Sequence, residues 1–437
     1  MSTPAPETSP SIPSLIEIEA LRPTGSLRAV VTVPGSKSLT NRALVLAALA
    51  SGETILTGAL WSEDTQVMVD CLQELGFMIS VSSDAHEPGN RILSVYGKGG
   101  ILPRGGEPGS PLELFVGNAG TAARFLAAML CLGEGVYRLH GVPRMHERPQ
   151  KALFQALREL GYRIDSPNDR LPALVYGAGP RAGRCRVSME ESSQFASALL
   201  LSSRVGGWVI QSEGANADES PYVAMTEELL KAFPSQGGRF QIEPDTSSGS
   251  YFWGAQHLLK DGAGEVSIRV PHWPTSGWQI DGEFPRHLPL PRHLSRQRDL
   301  GDSIMTAIVL APFGEYPVEF TELGRLRVQE CERVAALRTE LIRCGARVEE
   351  EGDTLTVYPG TLHGATIETY QDHRMAMCFA ILGLKVPGVR IKNPGCVKKT
   401  FPNFFQKLAA LPPHGLGVTL RDGASGRALS GAELQTD

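Results

Sequence analysis

Two kinds of apolar period alternate along the chain. The first is apolar on nearly every side: Leu39, Ala43, Leu44, Leu46, Ala47 and Ala50 recur at helical spacing before Gly52, and a helix without a polar face is a buried one. The second is amphipathic and stops at glycine ahead of a strand, as in SEDTQVMVDCLQELGFMI, HERPQKALFQALRELGYRI and QECERVAALRTELIRCGARVEE; such helices face water on one side. The first kind returns six times, from Ser36, Ala119, Glu191, Thr246, Gly301 and Asp372, each time as a polar or Gly-containing start, a helix, a Gly-rich turn and a strand. A tandem of βαβ-like units, three in each half, predicts an α/β fold of two similar domains with parallel-containing sheets. One domain is expected over 35–243, the other over 15–34 plus 244–412, with a loose leader at 1–14 and an appendage at 413–437. The prolines and Pro-Arg-His-Leu repeats between His272 and Arg298 predict a surface excursion.

Polar residues gather where the buried helices begin. A strand expected over Ala29 to Val33 runs through Pro34 and Gly35 into the first helix. The opening turn of that helix carries unpaired N–H groups and the positive dipole end, which favour an anion. Lys37 sits there, and Ser38 and Arg42, four apart, share one face. Taken alone, Ser36 or Ser38 reads better as an N-cap beside solvated Lys37 and Arg42. Repetition tips the balance: Lys37-Ser38, Asn118-Ala119-Gly120-Thr121, Ser192-Ser193-Gln194, Asp302 and Asp372-His373-Arg374 all stand at such starts. If these helices run parallel within each half, their positive ends face one cleft between the domains, suited to a ligand with several negative charges. A Walker A loop is excluded, because Ser36 and Val31 occupy the positions that need glycine.

Composition narrows the class further. A chain of 437 residues is too long for one core, and 42% hydrophobic with 20% charged residues argues against disorder. A net charge of -5 gives no reason to expect a nucleic-acid partner. No stretch is apolar enough to span a membrane, and MSTPAPETSPSIPS lacks a signal core, so a cytoplasmic protein is expected. Seven cysteines without CxxC spacing predict buried reduced thiols, and ten histidines without HExxH spacing predict no metal site.

The motifs PGSKSLTNRA, GNAGTAARF, PRMHERP, SSQFASALL, EPDTSSGSYF, RVQECERVAAL, DHRMAM and KKTFPNFF, in this order from about Val31 to Leu408, resemble those of the 5-enolpyruvylshikimate-3-phosphate (EPSP) synthases. The resemblance implies two domains of three βαβαββ units each, an inside-out α/β barrel fold with the active site in the interdomain cleft. It implies transfer of the enolpyruvyl group of phosphoenolpyruvate to shikimate 3-phosphate, without metal or cofactor, by a cytoplasmic monomer. Glyphosate competes with phosphoenolpyruvate in this family. On the same resemblance, Lys37, Ser38, Arg42, Ser192, Ser193, Gln194, Tyr222, Asp302 and position 329 bind shikimate 3-phosphate. Lys37, Asn118, Gly120, Arg144, Gln194, Glu330, Arg333, Arg374 and Lys399 bind phosphoenolpyruvate. Asp302 is implied as base on the attacking hydroxyl and Glu330 as acid near the methylene, with Lys37 a rival for proton delivery. Other readings stay open: Asp302 as an N-cap of the helix IMTAIVLA, Glu330 as a first-turn acid favoured by the helix dipole, and Arg124 and Arg148 as braces of helix starts.

Three positions depart from the family pattern. Gln329 stands where most members carry a phosphate-binding lysine, so Arg325 or the Ser192-Ser193 pair is expected to carry more of the phosphate. Glu219 replaces a serine two residues before Pro221, with Ser220 as its substitute. His146 replaces a common lysine. The related transferase acting on UDP-N-acetylglucosamine has a reactive cysteine in the loop corresponding to 141–148, and this chain has none there.

Overall fold

A computed structural model describes residues 12–23, 25–214, 220–260 and 264–436. The chain divides into two compact units. The first takes the chain up to Val33, Asp245–Thr275 and everything from Ile280; the second takes Pro34–Pro244 and Ser276–Gln279.

The second unit holds helices α1 (Lys37–Leu49), α2 (Glu63–Glu74), α3 (Gly120–Leu130), α4 (Pro143–Glu147), α5 (Lys151–Glu159), α6 (Ser193–Gly206) and α7 (Ser220–Ala232). Every residue of α1 from Leu39 onward and all of α3 are buried, and these two pack with α6 at the centre. That burial follows from the all-round apolar sequence. Around them lie a sheet in the order 238–241, 51–60, 90–98 and 78–83, a second in the order 112–115, 134–140, 173–178 and 163–165, and a parallel pair of 183–188 with 208–213. In each four-stranded sheet the first pairing is parallel and the rest antiparallel. Strand Gly238–Gln241 of the third repeat joins Thr54–Thr57 of the first, closing the unit on itself.

Glycine marks the same close approach in two repeats. A Cβ on Gly97 would lie 2.2 Å from the Ala50 carbonyl oxygen at the end of α1, and one on Gly177 would lie 2.7 Å from that of Leu130 at the end of α3. Only glycine lets the third strand of each sheet cross the tail of its buried helix.

The first unit repeats the plan with α8 (Thr246–Leu259), α9 (Ile304–Leu310), α10 (Arg333–Arg343), α11 (His373–Gly383) and α12 (Phe404–Ala409). Here α8, α9 and α11 form the centre. Thr306 of α9 joins Ser250 of α8 at 2.8 Å and Cys378 of α11 at 3.8 Å. Sheets run in the orders 293–295, 318–321, 354–357, 348–351 and 366–367, 389–392, 15–18, 420–422, with a parallel pair of 27–30 and 266–269.

Four expectations need adjusting. The strand expected over 29–33 is Leu27–Val30, paired with Val266–Arg269. Residues 413–437 are no appendage to the unit: Leu420–Asp422 pairs with Ile16–Ile18, and Leu416, Val418, Leu420 and Leu434 are buried. Nor is 272–298 a surface excursion throughout, since Phe284, Leu290, Leu294 and Asp281 are buried. Within it, Trp278 stacks on Phe240, and the Gln279 amide donates to Glu243 at 3.1 Å and to the Pro244 carbonyl at 2.9 Å. Those contacts place Ser276–Gln279 in the second unit, so the chain passes between units four times where two crossings were expected. Of the expected leader, residues 1–11 lie outside the described residues. Among the described residues no helix is long and apolar enough to cross a membrane.

Candidate active site

In the second unit the first turns of α3 and α6 are stitched together. Ser192 caps α6, its hydroxyl accepting from the Gln194 N–H at 3.2 Å, and Ser193 beside it is buried. The Gln194 side chain accepts from Arg124 of α3 at 3.0 Å and donates to Thr121 at 3.4 Å. Arg124 and Arg148 lie across the start of α3 because Gly120 carries no side chain: a Cβ there would stand 2.4 Å from one guanidinium and 2.6 Å from the other. Arg148 donates to the Asn118 carbonyl at 3.2 Å and Arg124 to that of Pro149 at 3.2 Å, so both brace helix starts. On α1 the cap is Ser36, whose hydroxyl accepts from Leu39 N–H. Lys37, only 18% exposed, pairs with buried Asp64 of α2 at 3.0 Å.

Arg42 is sunk below this surface. Its guanidinium donates to Thr226 Oγ1 at 2.7 Å, the Ser38 carbonyl at 3.0 Å, Ser197 Oγ at 3.0 Å and the Tyr222 carbonyl at 3.4 Å, and lies 5.2 Å from the Phe125 ring centre. One side chain therefore ties α1, α3, α6 and α7 together. Arg42→Ala removes four hydrogen bonds from one buried cluster, each with a net worth of about 0.5–1.5 kcal/mol. We expect the urea midpoint of this unit to fall by an amount equivalent to about 3 kcal/mol; an unchanged midpoint would show that the four bonds contribute nothing to folding. Arg144, in contrast, is an exposed residue of α4 paired with Glu147, and His146 accepts from Gly141 N–H at 3.2 Å.

The first unit gathers opposite charges around one buried guanidinium. Arg333, at the start of α10 and 1% exposed, contacts Asp372 at 2.7 Å, Glu330 at 2.9 Å and Asp302 at 3.7 Å. Asp302 also pairs with Arg374 and Arg296, each at 3.2 Å, and Glu330 with Lys399 at 3.4 Å. Asp372 caps α11 through Arg374 N–H at 2.8 Å, which fixes the guanidinium beside Asp302. Gln329 bridges the group, accepting from Arg333 and donating to Asp302 at 3.5 Å. Burial opposes ionisation of Asp302, but Arg374, Arg333 and Arg296 outweigh it, against a push from Glu330. The carboxyl is held well below the usual carboxylate range. Burial and Asp372 push the thiol of neighbouring Cys331 up, so it stays protonated.

Several members of these clusters carried no sequence signal. Asp64 is a first-turn residue of an amphipathic helix, and Arg296 and Asp281 lie in the stretch expected to be a surface excursion. Asp302 does not cap its helix, because the capping residue of α9 is Ser303. Arg325 lies on the 3-10 turn Gly324–Val328. Glu219 falls outside the described residues.

Comparison with known proteins supplies the family. The family model for EPSP synthase (3-phosphoshikimate 1-carboxyvinyltransferase) matches residues 21–236 and 295–408. The chain belongs to the EPSP synthase family. A 3-phosphoshikimate 1-carboxyvinyltransferase of Trichormus variabilis is 37% identical over 416 residues, covering 87% of this chain and 95% of the relative. One from Rhizobium etli is 38% identical over 409 residues, covering 86% and 93%. Among solved structures, an EPSP synthase from Acinetobacter baumannii has a TM-score of 0.74 at 20% identity, covering 93% of this chain and 99% of that one. The enolpyruvyl transferase NikO from Streptomyces tendae has a TM-score of 0.67 at 16% identity, covering 96% and 100%. Both likenesses are of fold, the enolpyruvyl transferase fold of two similar α/β domains. Of the three departures, His146 and Gln329 lie among the described residues, and the Gln329 amide takes both a donor and an acceptor from the acid–guanidinium cluster.

Proposed function

We propose that this chain transfers the enolpyruvyl group of phosphoenolpyruvate to the 5-hydroxyl of shikimate 3-phosphate, releasing phosphate. The observation that carries this reading is the pair of carboxyls, Asp302 and Glu330, sharing Arg333 in a cluster with Arg374 and Lys399. The reaction needs such a set. Carbon three of phosphoenolpyruvate gains a proton while carbon two takes the hydroxyl oxygen. Phosphate then leaves from carbon two as carbon three gives a proton back. Glu330 stands for the proton at carbon three, with Lys37 its rival, and Asp302 for the proton of the attacking hydroxyl.

Both substrates pair a carboxylate with a phosphate, and guanidinium forks grip such oxyanions two at a time. Arg333 and Arg374 would take the phosphoenolpyruvate carboxylate, and Arg144 its phosphate, with Asn118, Gly120 and Lys399 completing that set. Ser38, Arg42, Ser192, Ser193, Gln194, Tyr222 and Gln329 would serve shikimate 3-phosphate. Since the donors of Arg42 are turned to Thr226, Ser197 and main-chain carbonyls, it would act chiefly by holding Ser38 and Tyr222 in place. Free cysteines, five of them buried, are in keeping with a reducing cytoplasm, and a monomer is the state we propose there.

Purified protein given both substrates should release phosphate, and neither substrate alone should support it. Release with another cyclic alcohol but not with shikimate 3-phosphate would reassign the acceptor. No release with any acceptor would leave a family member without the activity.

A further inference from the structure

Asp281 belongs to none of the motifs that carry the family resemblance, and it lies between the two stretches that the family model matches. It is 3% exposed. Its Oδ1 accepts from the Gly301 N–H at 2.6 Å, the Ser303 N–H at 3.2 Å and the Ser303 hydroxyl at 2.5 Å. Its other oxygen accepts from the Ser247 hydroxyl, in the first turn of α8. The residue between Gly301 and Ser303 is Asp302. One carboxylate thus grips the chain on both sides of Asp302 and anchors it to a second buried helix. Gly301 makes the grip possible, since a Cβ there would sit 3.2 Å from each Asp281 oxygen.

The start of α9 is served by main-chain carbonyls and not by an acid. An aspartate ahead of a helix ordinarily turns its carboxylate onto the first free N–H groups. Here the Ser303 side chain makes no cap bond within its own helix, the Ile304 and Met305 N–H groups go to the carbonyls of Gly301 and Asp302, and Asp281 takes the Gly301 and Ser303 N–H groups just ahead of the helix. Asp302 is left facing Arg296, Arg333 and Arg374.

We propose that Asp281 is the positioning residue of Asp302: it holds the peptide groups on either side, so the Asp302 carboxyl is fixed for the reaction. This rests on the reading of Asp302 as the base. A displacement of about 1 Å at a reacting group can cost on the order of 10²-fold in rate, so three bonds on a three-residue loop, with a fourth to α8, are enough to matter. The role is geometric. Asparagine at 281 keeps an oxygen for Gly301 and Ser303 and turns its NH2 to the Ser247 hydroxyl, which can accept.

The test is a double-mutant cycle on kcat and KM, read by phosphate release from phosphoenolpyruvate and shikimate 3-phosphate. Asp281→Ala should lower kcat at least about 10-fold, while Asp281→Asn should stay within about 3-fold of the natural protein. In the Asp302→Ala background, Asp281→Ala should change kcat by less than about 2-fold, because a residue that acts through another is silent once that partner is gone. Ser303→Ala, a milder cut of the same grip, should show the same silence and serves where Asp281→Ala fails to fold. Full kcat in the single variant, an equal loss in both backgrounds, or Asp281→Asn as impaired as Asp281→Ala would each overturn the proposal. Asp302→Ala turning over at the natural rate would instead remove the base, and this role for Asp281 with it. Loss in Asp302→Ala beside full activity in Asp281→Ala and Ser303→Ala would overturn the role of Asp281 alone.

Discussion

Asp302→Ala should lower kcat by about 10³-fold, the scale of a positioned general base, without raising the KM for phosphoenolpyruvate. Removing the carboxylate takes away an anion that competes for Arg333, Arg374 and Arg296, so substrate carboxylate should bind at least as well; a lost kcat with an intact KM marks an interaction needed in the transition state. The cluster poses a chemical difficulty, because a carboxyl held well below its usual range is a weak base. On the binding role proposed for Arg333 and Arg374, substrate would resolve it. A carboxylate arriving at Arg333 and Arg374 offsets the two guanidinium groups that depress Asp302 most and adds an anion nearby, and both changes raise its pKa. Carboxyl-13C NMR of aspartate-labelled protein, assigned with Asp302→Asn, should show the Asp302 signal titrating at higher pH once a phosphoenolpyruvate analogue is bound. A midpoint that does not move would mean that the substrate carboxylate sits elsewhere.

Arg333→Met should cost the first unit about 3–5 kcal/mol at neutral pH, the range for removing one side of a buried ion pair. Three carboxylates, those of Asp372, Glu330 and Asp302, lose their shared partner. Lysine should rescue little, since one ammonium cannot bridge three acids as the planar fork does. The pH dependence has a definite sign. With Arg333 present, Asp302 has a depressed pKa; its stabilising contribution is in place above about pH 4, the unfolded value, and is lost only as pH falls through the lower folded value. Without Arg333 the acids are harder to ionise in the folded protein, a penalty that is full at neutral pH and relieved on acidification. The gap between the two proteins in urea midpoint should therefore narrow from pH 7 toward pH 4. A gap that widens would assign the cost to lost packing and not to charge.

The repeating plan was legible because it is written in local period. Small apolar residues on every face of α1, α3 and α11 can only be buried, and their polar first turns stand out against that background. What sequence could not supply were partners set by tertiary contact. Lys37 looks solvated until Asp64, on the next helix, is seen 3.0 Å away. Arg42 shares a helical face with Ser38 as expected, yet its donors go to Thr226 and Ser197, which no spacing rule links to it. The tetrapeptide Ser276–Gln279 has no period at all; its place depends on one indole and one amide meeting Phe240, Glu243 and Pro244. The stretch 413–437 did carry a signal: Leu416, Val418 and Leu420 alternate as an inward strand face, but the surrounding Gly, Ser and Ala masked it.

Strand Leu15–Ile18 lies between Val389–Lys392 and Leu420–Asp422, partners separated from it by nearly the whole gene. During translation at about 5–20 residues per second, this segment emerges first and waits on the order of tens of seconds for its neighbours. Pro34–Pro244 is complete long before then. The nascent polypeptide thus carries most of the second unit and, N-terminal to it, a bare β-edge, the kind of surface that chaperones shield.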